Sequence, residues 1–394
     1  MSRSSLARTL ALVLGGAVLA AGLIAAGAPR YTRLAAVEQR LLTPWLRPAY
    51  LGDGRPAAEL LICNPMGLAL NRAGELLVSD RGRGRRGRVV WRIDTGGVAH
   101  IFAGTGLRGD AIAPDALSMS LERPEGMAVA EDGSVFLSDG FNHAVYRNAK
   151  DGTATRVAGT GVKGYSGDGG PGPAAQLHRP ADLRLDSLGN LFIADVQNHC
   201  VRKLDPQGTI TTVAGIGQRG FSPDGTPAVR ARLDRPWGIL VDRRDRLIIA
   251  DGLNHRVRVI DPEGRLVTIA GNGERGFGGD GGPAIEAELN SPEGLFEDAA
   301  GRLYIGDELN HAIRLMDVDG RIATVMGTGS PGRAALGAAA HGAPLNDPEN
   351  VLVTPAGDVV ITDGDNGRVL RITRDGIVHL LAGRGETDHC GDRW

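Results

Sequence analysis

Immediately after a recurring proline, the 394-residue chain reads Met66-Gly67, Glu125-Gly126, Ala181-Asp182, Trp237-Gly238, Glu293-Gly294 and Glu349-Asn350. Glu125, Asp182, Glu293, Glu349 and the Asn350 amide are the oxygen donors that a hard cation takes. Carboxylates gathered at one site repel unless they are protonated or neutralised, and calcium is the natural partner. The bland alternative is that they cap strand starts and face water. Trp237 stands in the same set and supplies a ligand-binding wall. A second cluster is basic: Arg81, Arg83, Arg85, Arg86 and Arg88, interleaved with glycine, suit an anionic ligand, an acidic glycan or a lipid headgroup, or else form a solvated loop.

A third pattern, Asp-x-x-Asn-His, occurs at Asp139–His143, Asp195–His199, Asp251–His255 and Asp307–His311. It combines carboxylate and imidazole, yet it is written once per repeat. Chemistry needs an asymmetric constellation, so this pattern reads as a hydrogen-bonding device that holds a turn. The glycine-rich stretches Ser166–Pro171 and Gly278–Pro283 lack the Lys-Ser/Thr of a phosphate loop, and Asp363–Gly367 has no glutamate at the twelfth position of a calcium loop. No Gly-x-Ser-x-Gly or His-Glu-x-x-His motif occurs.

The elements that must position these residues follow from a repeat. Asp80, Asp139, Asp195, Asp251, Asp307 and Asp363 close equivalent apolar runs at intervals of 59, 56, 56, 56 and 56 residues. Pro65, Pro124, Pro180, Pro236, Pro292 and Pro348 open the copies at the same intervals. Within a copy, four short runs rich in Val and Ile alternate with turn chemistry such as Pro262-Glu263-Gly264, which predicts four antiparallel strands. One meander cannot bury both its faces, so six copies must stack, and the closed solution is a propeller around a channel. An open solenoid is the alternative. In an up-and-down blade the turn after the second strand and the crossover after the fourth share one side, so the repeated turns, the long crossovers and the mouth residues all fall on one face.

The Asp-x-x-Asn-His turns, the Pro-x-Gly openings and the Thr212–Gly215 closing resemble the NHL-repeat family, over about residues 64–385. Copy six departs with Asn366-Gly367, and copy one has arginines where the Asn-His pair should be. The resemblance implies an all-β fold, a six-bladed β-propeller of four-stranded antiparallel blades; the uncharged run 9–29 adds an N-terminal hydrophobic helix before it. More distantly, the acids after the prolines are similar to those of gluconolactonase and strictosidine-synthase-like six-bladed propellers. In those proteins acidic and amide side chains at the channel mouth hold a catalytic metal or act directly.

Composition bounds the partners. Lys plus Arg number 44 against 46 Asp plus Glu, so the footprint of sequence-independent nucleic-acid binding is missing and no nucleic-acid partner is expected. The uncharged run 9–29 is long enough to cross a bilayer, with Arg3 and Arg8 before it. Residues 1–30 are therefore expected to be a signal anchor or signal peptide, 31–63 a spacer, 64–386 the propeller and 387–394 a tail. The propeller is placed in the cell envelope, outside the cytoplasm and tethered to the inner or plasma membrane. Cys63 and Cys390 flank the repeats, so ring closure would bring them together as a disulfide, whereas Cys200 reads as simply buried. The expected function is a binding module whose loop face takes a protein, glycan or small-molecule ligand. The alternative is a calcium-dependent hydrolase or lactonase that uses the acidic ring.

Overall fold

A computed structural model of the chain describes residues 53–82, 87–110 and 113–385. The four apolar runs of each repeat become four strands because glycine-containing turns reverse the chain between them. In the fourth blade these are Pro236–Val241, Leu247–Asp251, Arg256–Ile260 and Leu266–Ala270. They pair antiparallel in chain order. The other five blades repeat the order, and the first and third gain a short fifth strand from the preceding crossover, Arg55–Pro56 and Gly170–Pro171. Helical structure among the described residues is limited to single 3₁₀ turns such as Val196–Asn198.

Second strands such as Leu247–Asp251 are buried along their whole length, so they lack the polar alternation of a one-sided sheet. Each blade buries a face against its neighbour. Leu240, Ile248, Val257 and Val259 of blade four pack with Leu295, Leu303 and Ile305 of blade five. The inner strands touch in sequence round the ring, and Pro65–Leu70 of blade one meets Val351–Val353 of blade six, so the annulus is closed. Glycine makes the closure possible at the neck. A Cβ on Gly67 would collide with the Glu125 carbonyl, and one on Gly238 with the Glu293 carbonyl.

Residues 53–64 are part of the propeller rather than the end of a spacer. The Gly383 N–H donates to the Ala57 carbonyl at 3.0 Å and the Arg384 N–H to Leu60 at 3.0 Å, as Gly215 donates to Ala228 at 2.9 Å where blade three passes to blade four. The segment is the sixth crossover, supplied by the other end of the chain. Cys63, inside it, is fully buried and disulfide-bonded. Its expected partner Cys390 lies outside the described residues, as do the expected hydrophobic helix at 9–29 and Arg83, Arg85 and Arg86. No helix among the described residues is long and apolar enough to cross a membrane.

Candidate functional site

The repeated turns hold the long-loop face in place. Asp195 Oδ1 accepts the His178 N–H at 2.7 Å, and Asn198 Nδ2 donates both to Asp195 Oδ2 at 2.8 Å and to the Gly164 carbonyl at 2.7 Å. His199 sits in the left-handed region at φ 51°, and its Nδ1 accepts the Arg235 N–H of the next blade at 3.2 Å. His143, His255 and His311 accept from Arg179, Ser291 and Asp347 in the same way, at 3.3, 3.2 and 3.1 Å. The motif is therefore a stitch between blades. Burial pushes the Asp195 and Asp251 carboxyls up to about 7 against the pull of these hydrogen bonds, and burial lowers all four imidazoles.

The glycine-rich crossovers dock onto buried arginines. Arg202, Arg258 and Arg314 are fully buried and meet Asp168, Asp224 and Asp280 at 2.7, 2.9 and 2.8 Å. The rings of Tyr165, Phe221 and Phe277 cover their guanidinium carbons at 5.3, 5.4 and 5.1 Å. Asp168 and Asp280 of the glycine-rich stretches are thus structural anchors.

These devices leave the channel mouth as the place where the blades differ. Met66, Glu125, Ala181, Asp182, Trp237, Glu293, Glu349 and Asn350 line one narrow cavity of about 40 Å³ on the axis, so the sequence-predicted acids do converge. Asp182 and Asn350 come one residue later than the glutamates, where the other blades have glycine. Burial is nearly complete: Glu125, Glu293 and Glu349 are 3, 7 and 5% exposed. Glu125 is ion-paired with Arg123 and lies 3.6 Å from Arg179. The Arg179 guanidinium stacks on Trp237 at 4.1 Å and on Phe141 at 5.6 Å, and Phe141 is 47% exposed at the rim. Arg81 stands 3.1 Å from Glu349 and 3.9 Å from Asp347.

Across the mouth Glu293 and Glu308 lie against each other, and among the described residues neither has a Lys, Arg or His within 4.0 Å. Burial first, then the neighbouring carboxylates, push Glu293, Glu308 and Glu349 upward. The mouth is consequently polarised: Arg123 and Arg179 stand on blades two and three, and Glu293, Glu308, Asp347 and Glu349 on blades five and six.

As placed, this set does not fit calcium, which asks for six to eight oxygens at about 2.3–2.6 Å. Among the described residues no three His, Cys, Asp or Glu side chains stand close enough together to hold a metal ion. Asp182 is taken by Arg184 Nη1 at 2.6 Å and by the Ile239 N–H at 3.1 Å. Arg88, expected at the ligand face, is instead 8% exposed and occupies the left-handed position that histidine takes in other blades, at φ 60°. Asn350 shares the cavity, with its N–H donating to Thr362 Oγ1 at 2.8 Å.

Arg123, Arg179, Asp347, Glu308, Phe141 and Arg184 escaped sequence reasoning. The first three directly precede the opening prolines and vary from blade to blade, a signal that lies just before the dipeptides of the mouth. The opposite face of the ring, where the short turns between first and second strands lie, has a cavity of its own. It opens into a channel cavity of about 730 Å³ lined by Leu70, Val129, Leu240, Phe296 and Leu352, with Arg184 among its walls.

The teneurin NHL domain profile matches residues 272–391 and the NHL repeat profile residues 177–204. The chain is 30% identical to human (Homo sapiens) NHL repeat-containing protein 2 over 188 residues, 44% of this chain and 26% of that protein. It is 26% identical to Teneurin-m of Drosophila melanogaster over 308 residues, 71% of this chain and 10% of that protein. It thus spans about a quarter or less of these relatives. Among solved structures, a protein of unknown function from Bacteroides thetaiotaomicron aligns with TM-score 0.59 and 18% identity over 83% of this chain and 72% of that one. A gluconolactonase from Xanthomonas campestris aligns with TM-score 0.53 and 15% identity over 81 and 87%, a likeness of fold alone. From the repeated inter-blade stitch, the closed six-bladed ring and these matches together, the chain is a six-bladed β-propeller whose repeats are similar to NHL repeats.

Proposed function

We propose that this chain is a binding module that receives its partner on the long-loop face, at the channel mouth. One observation carries the reading. The turns and crossovers of that face repeat the same hydrogen bonds blade after blade, whereas the mouth residues do not repeat, and they leave buried charge beside an exposed aromatic ring, Phe141. Asymmetric, partly unsatisfied chemistry on a rigid frame is what a recognition site needs. The arginine segment that begins at Arg81 leaves from the same rim. The reading also places the propeller outside the cytoplasm, tethered through residues 9–29, with a protein, glycan or small molecule as partner.

A calcium-dependent hydrolase of the lactonase type is the second reading: Glu293, Glu308, Asp347 and Glu349 supply the surplus of carboxylates it would use, and they would have to draw closer together to hold the ion. Two measurements separate the readings. The binding module expects a partner retained by the immobilised propeller, lost with Trp237→Ala and kept with Leu188→Ala on the opposite face. The hydrolase expects stoichiometric calcium in purified protein, a lower melting temperature in chelator, and esterase or lactonase turnover that Glu293→Gln abolishes.

A further inference from the structure

We propose that the acidic half of the mouth receives a protonated amine or guanidinium on a flexible stem, the chemistry of a lysine or arginine side chain offered by a partner polypeptide. This rests on the binding-module reading and names its partner chemistry. Glu293 and Glu308 lie together with Asp347 and Glu349 around them, and among the described residues the only cation in ion-pair reach of the four is Arg81, which serves Asp347 and Glu349. A buried carboxylate without a counter-charge is costly, so the site is incomplete as it stands. Glu349 has Arg81 as its counter-charge, yet it too keeps an oxygen open to a further donor. It lines the mouth cavity at 5% exposure, and its Oε1 makes no hydrogen bond although the Arg81 guanidinium is 3.1 Å away.

Geometry favours an organic cation over a metal ion. Among the described residues no three of these carboxylates are placed to hold a metal ion. An ammonium or guanidinium instead spends its donors on separate acceptors in a spread-out arrangement. Trp237 belongs to the blade next to Glu293, and its ring already holds the Arg179 guanidinium at 4.1 Å, which shows that the indole face at this rim accepts a cation. The basic flank at Arg123 and Arg179 repels a cation that approaches from blades two and three, which directs it to blades five and six.

The test is calorimetric titration of the full chain with four probes: an end-blocked Gly-Lys-Gly peptide, its arginine counterpart, the same peptide with acetylated lysine, and calcium chloride. Saturable binding of the charged peptides is expected, at least tenfold tighter than the acetylated one and weakened at least tenfold by Glu293→Gln and by Glu308→Gln. Both variants remove a repelling charge, so they should melt at or above the temperature of the unsubstituted chain, and a loss of binding is then not a loss of fold. Equal affinity for charged and acetylated peptide, no binding of either, or stoichiometric calcium that excludes the peptides would each overturn the proposal. If a partner is captured in a Trp237-dependent way that Glu293→Gln leaves untouched, the cation proposal fails while the binding-module reading stands.

Discussion

Arg184 Nη1 lies 2.6 Å from Asp182 Oδ1 inside the channel, and the same guanidinium reaches from blade three to the Leu295 carbonyl of blade five at 3.2 Å. The pair bridges the neck between the acidic mouth and the apolar cavity behind it. Both side chains are largely buried, so removing one strands the other without a counter-charge. Arg184→Met is expected to lower stability by about 3 kcal/mol in denaturant titration. The double substitution Asp182→Leu with Arg184→Met should recover most of that loss. If the two effects simply add, the residues do not act as a pair.

The histidine stitch can be divided into its hydrogen bond and its backbone. His255 holds φ 52° and accepts the Ser291 N–H at 3.2 Å, while blade six places Gly367 at the same position with φ 60°. His255→Gly removes only the acceptor and should cost about 1 kcal/mol. His255→Ala adds a side chain in the left-handed region and should cost about 1 kcal/mol more. Melting of the two variants against the parent measures the difference.

The same bond makes the stitch sensitive to pH. Nδ1 can accept only while unprotonated, and burial lowers His255 below its ordinary value, helped by Arg275 and Arg256 and opposed by Asp234 and Glu274. A base whose folded value lies below its unfolded value of about 6.5 leaves the unfolded chain binding more protons in acid. Its contribution is therefore complete above that pH and is lost as pH falls. The buried acids Asp195 and Asp251, raised to about 7, act in the opposite direction and lose their contribution as pH rises through that value. The stability gap between the parent and His255→Gly isolates the imidazole. It should narrow between pH 7.5 and 5.5, and a constant gap would show that the nitrogen accepts nothing.

How much of this was legible in the sequence depended on whether a feature repeats. Period, strand content, the shared face and the convergence of Glu125, Glu293 and Glu349 all follow from aligning six copies, because equivalent positions must occupy equivalent places in a ring. Arg202, Arg258 and Arg314 are half-repeated: the third-strand position they occupy holds Trp91 and Tyr146 in blades one and two, so no column of identical residues announces them. The Asp182–Arg184 bridge and the Glu293–Glu308 contact were out of reach for a different reason. Each depends on side-chain direction at a single blade, and Glu308 is set by a turn residue that is glycine or valine in the other Asp-x-x-Asn turns. Counting acids at the mouth foretold a cluster, but whether guanidinium or metal answers it is decided by directions that no repeat encodes.

The crossovers should respond to their arginines. Arg258 joins Asp224 of the preceding crossover to Asp251 of its own turn, at 2.9 and 3.7 Å, under the Phe221 ring. Arg258→Met keeps the volume and deletes both partners, so Asp251 is left buried and uncompensated. A loss of about 3 kcal/mol is expected. Hydrogen exchange should accelerate through 216–235 before the strands of blade four are affected, since the loop loses its anchor while the ladder keeps its bonds. Uniform acceleration across the blade would mean that the arginine supports the strands directly.

Ring closure between blade six and residues 53–64 relies on the Gly383 and Arg384 N–H bonds, on inner-strand packing and on the bonded sulfur of Cys63. The seam lacks the histidine stitch, because Gly367 stands where the histidine of blades two to five accepts from the next blade. A covalent tie therefore matters more here than at the other junctions, and a bridge closing a loop as long as the whole ring is worth about 2–5 kcal/mol. Non-reducing peptide mapping is expected to pair Cys63 with Cys390. Dithiothreitol should lower the melting temperature of the parent and of Cys200→Ala alike, since Cys200 is buried and free, and should leave Cys63→Ser unchanged. A reductant effect that persists in Cys63→Ser would show that the seam is not where the disulfide acts.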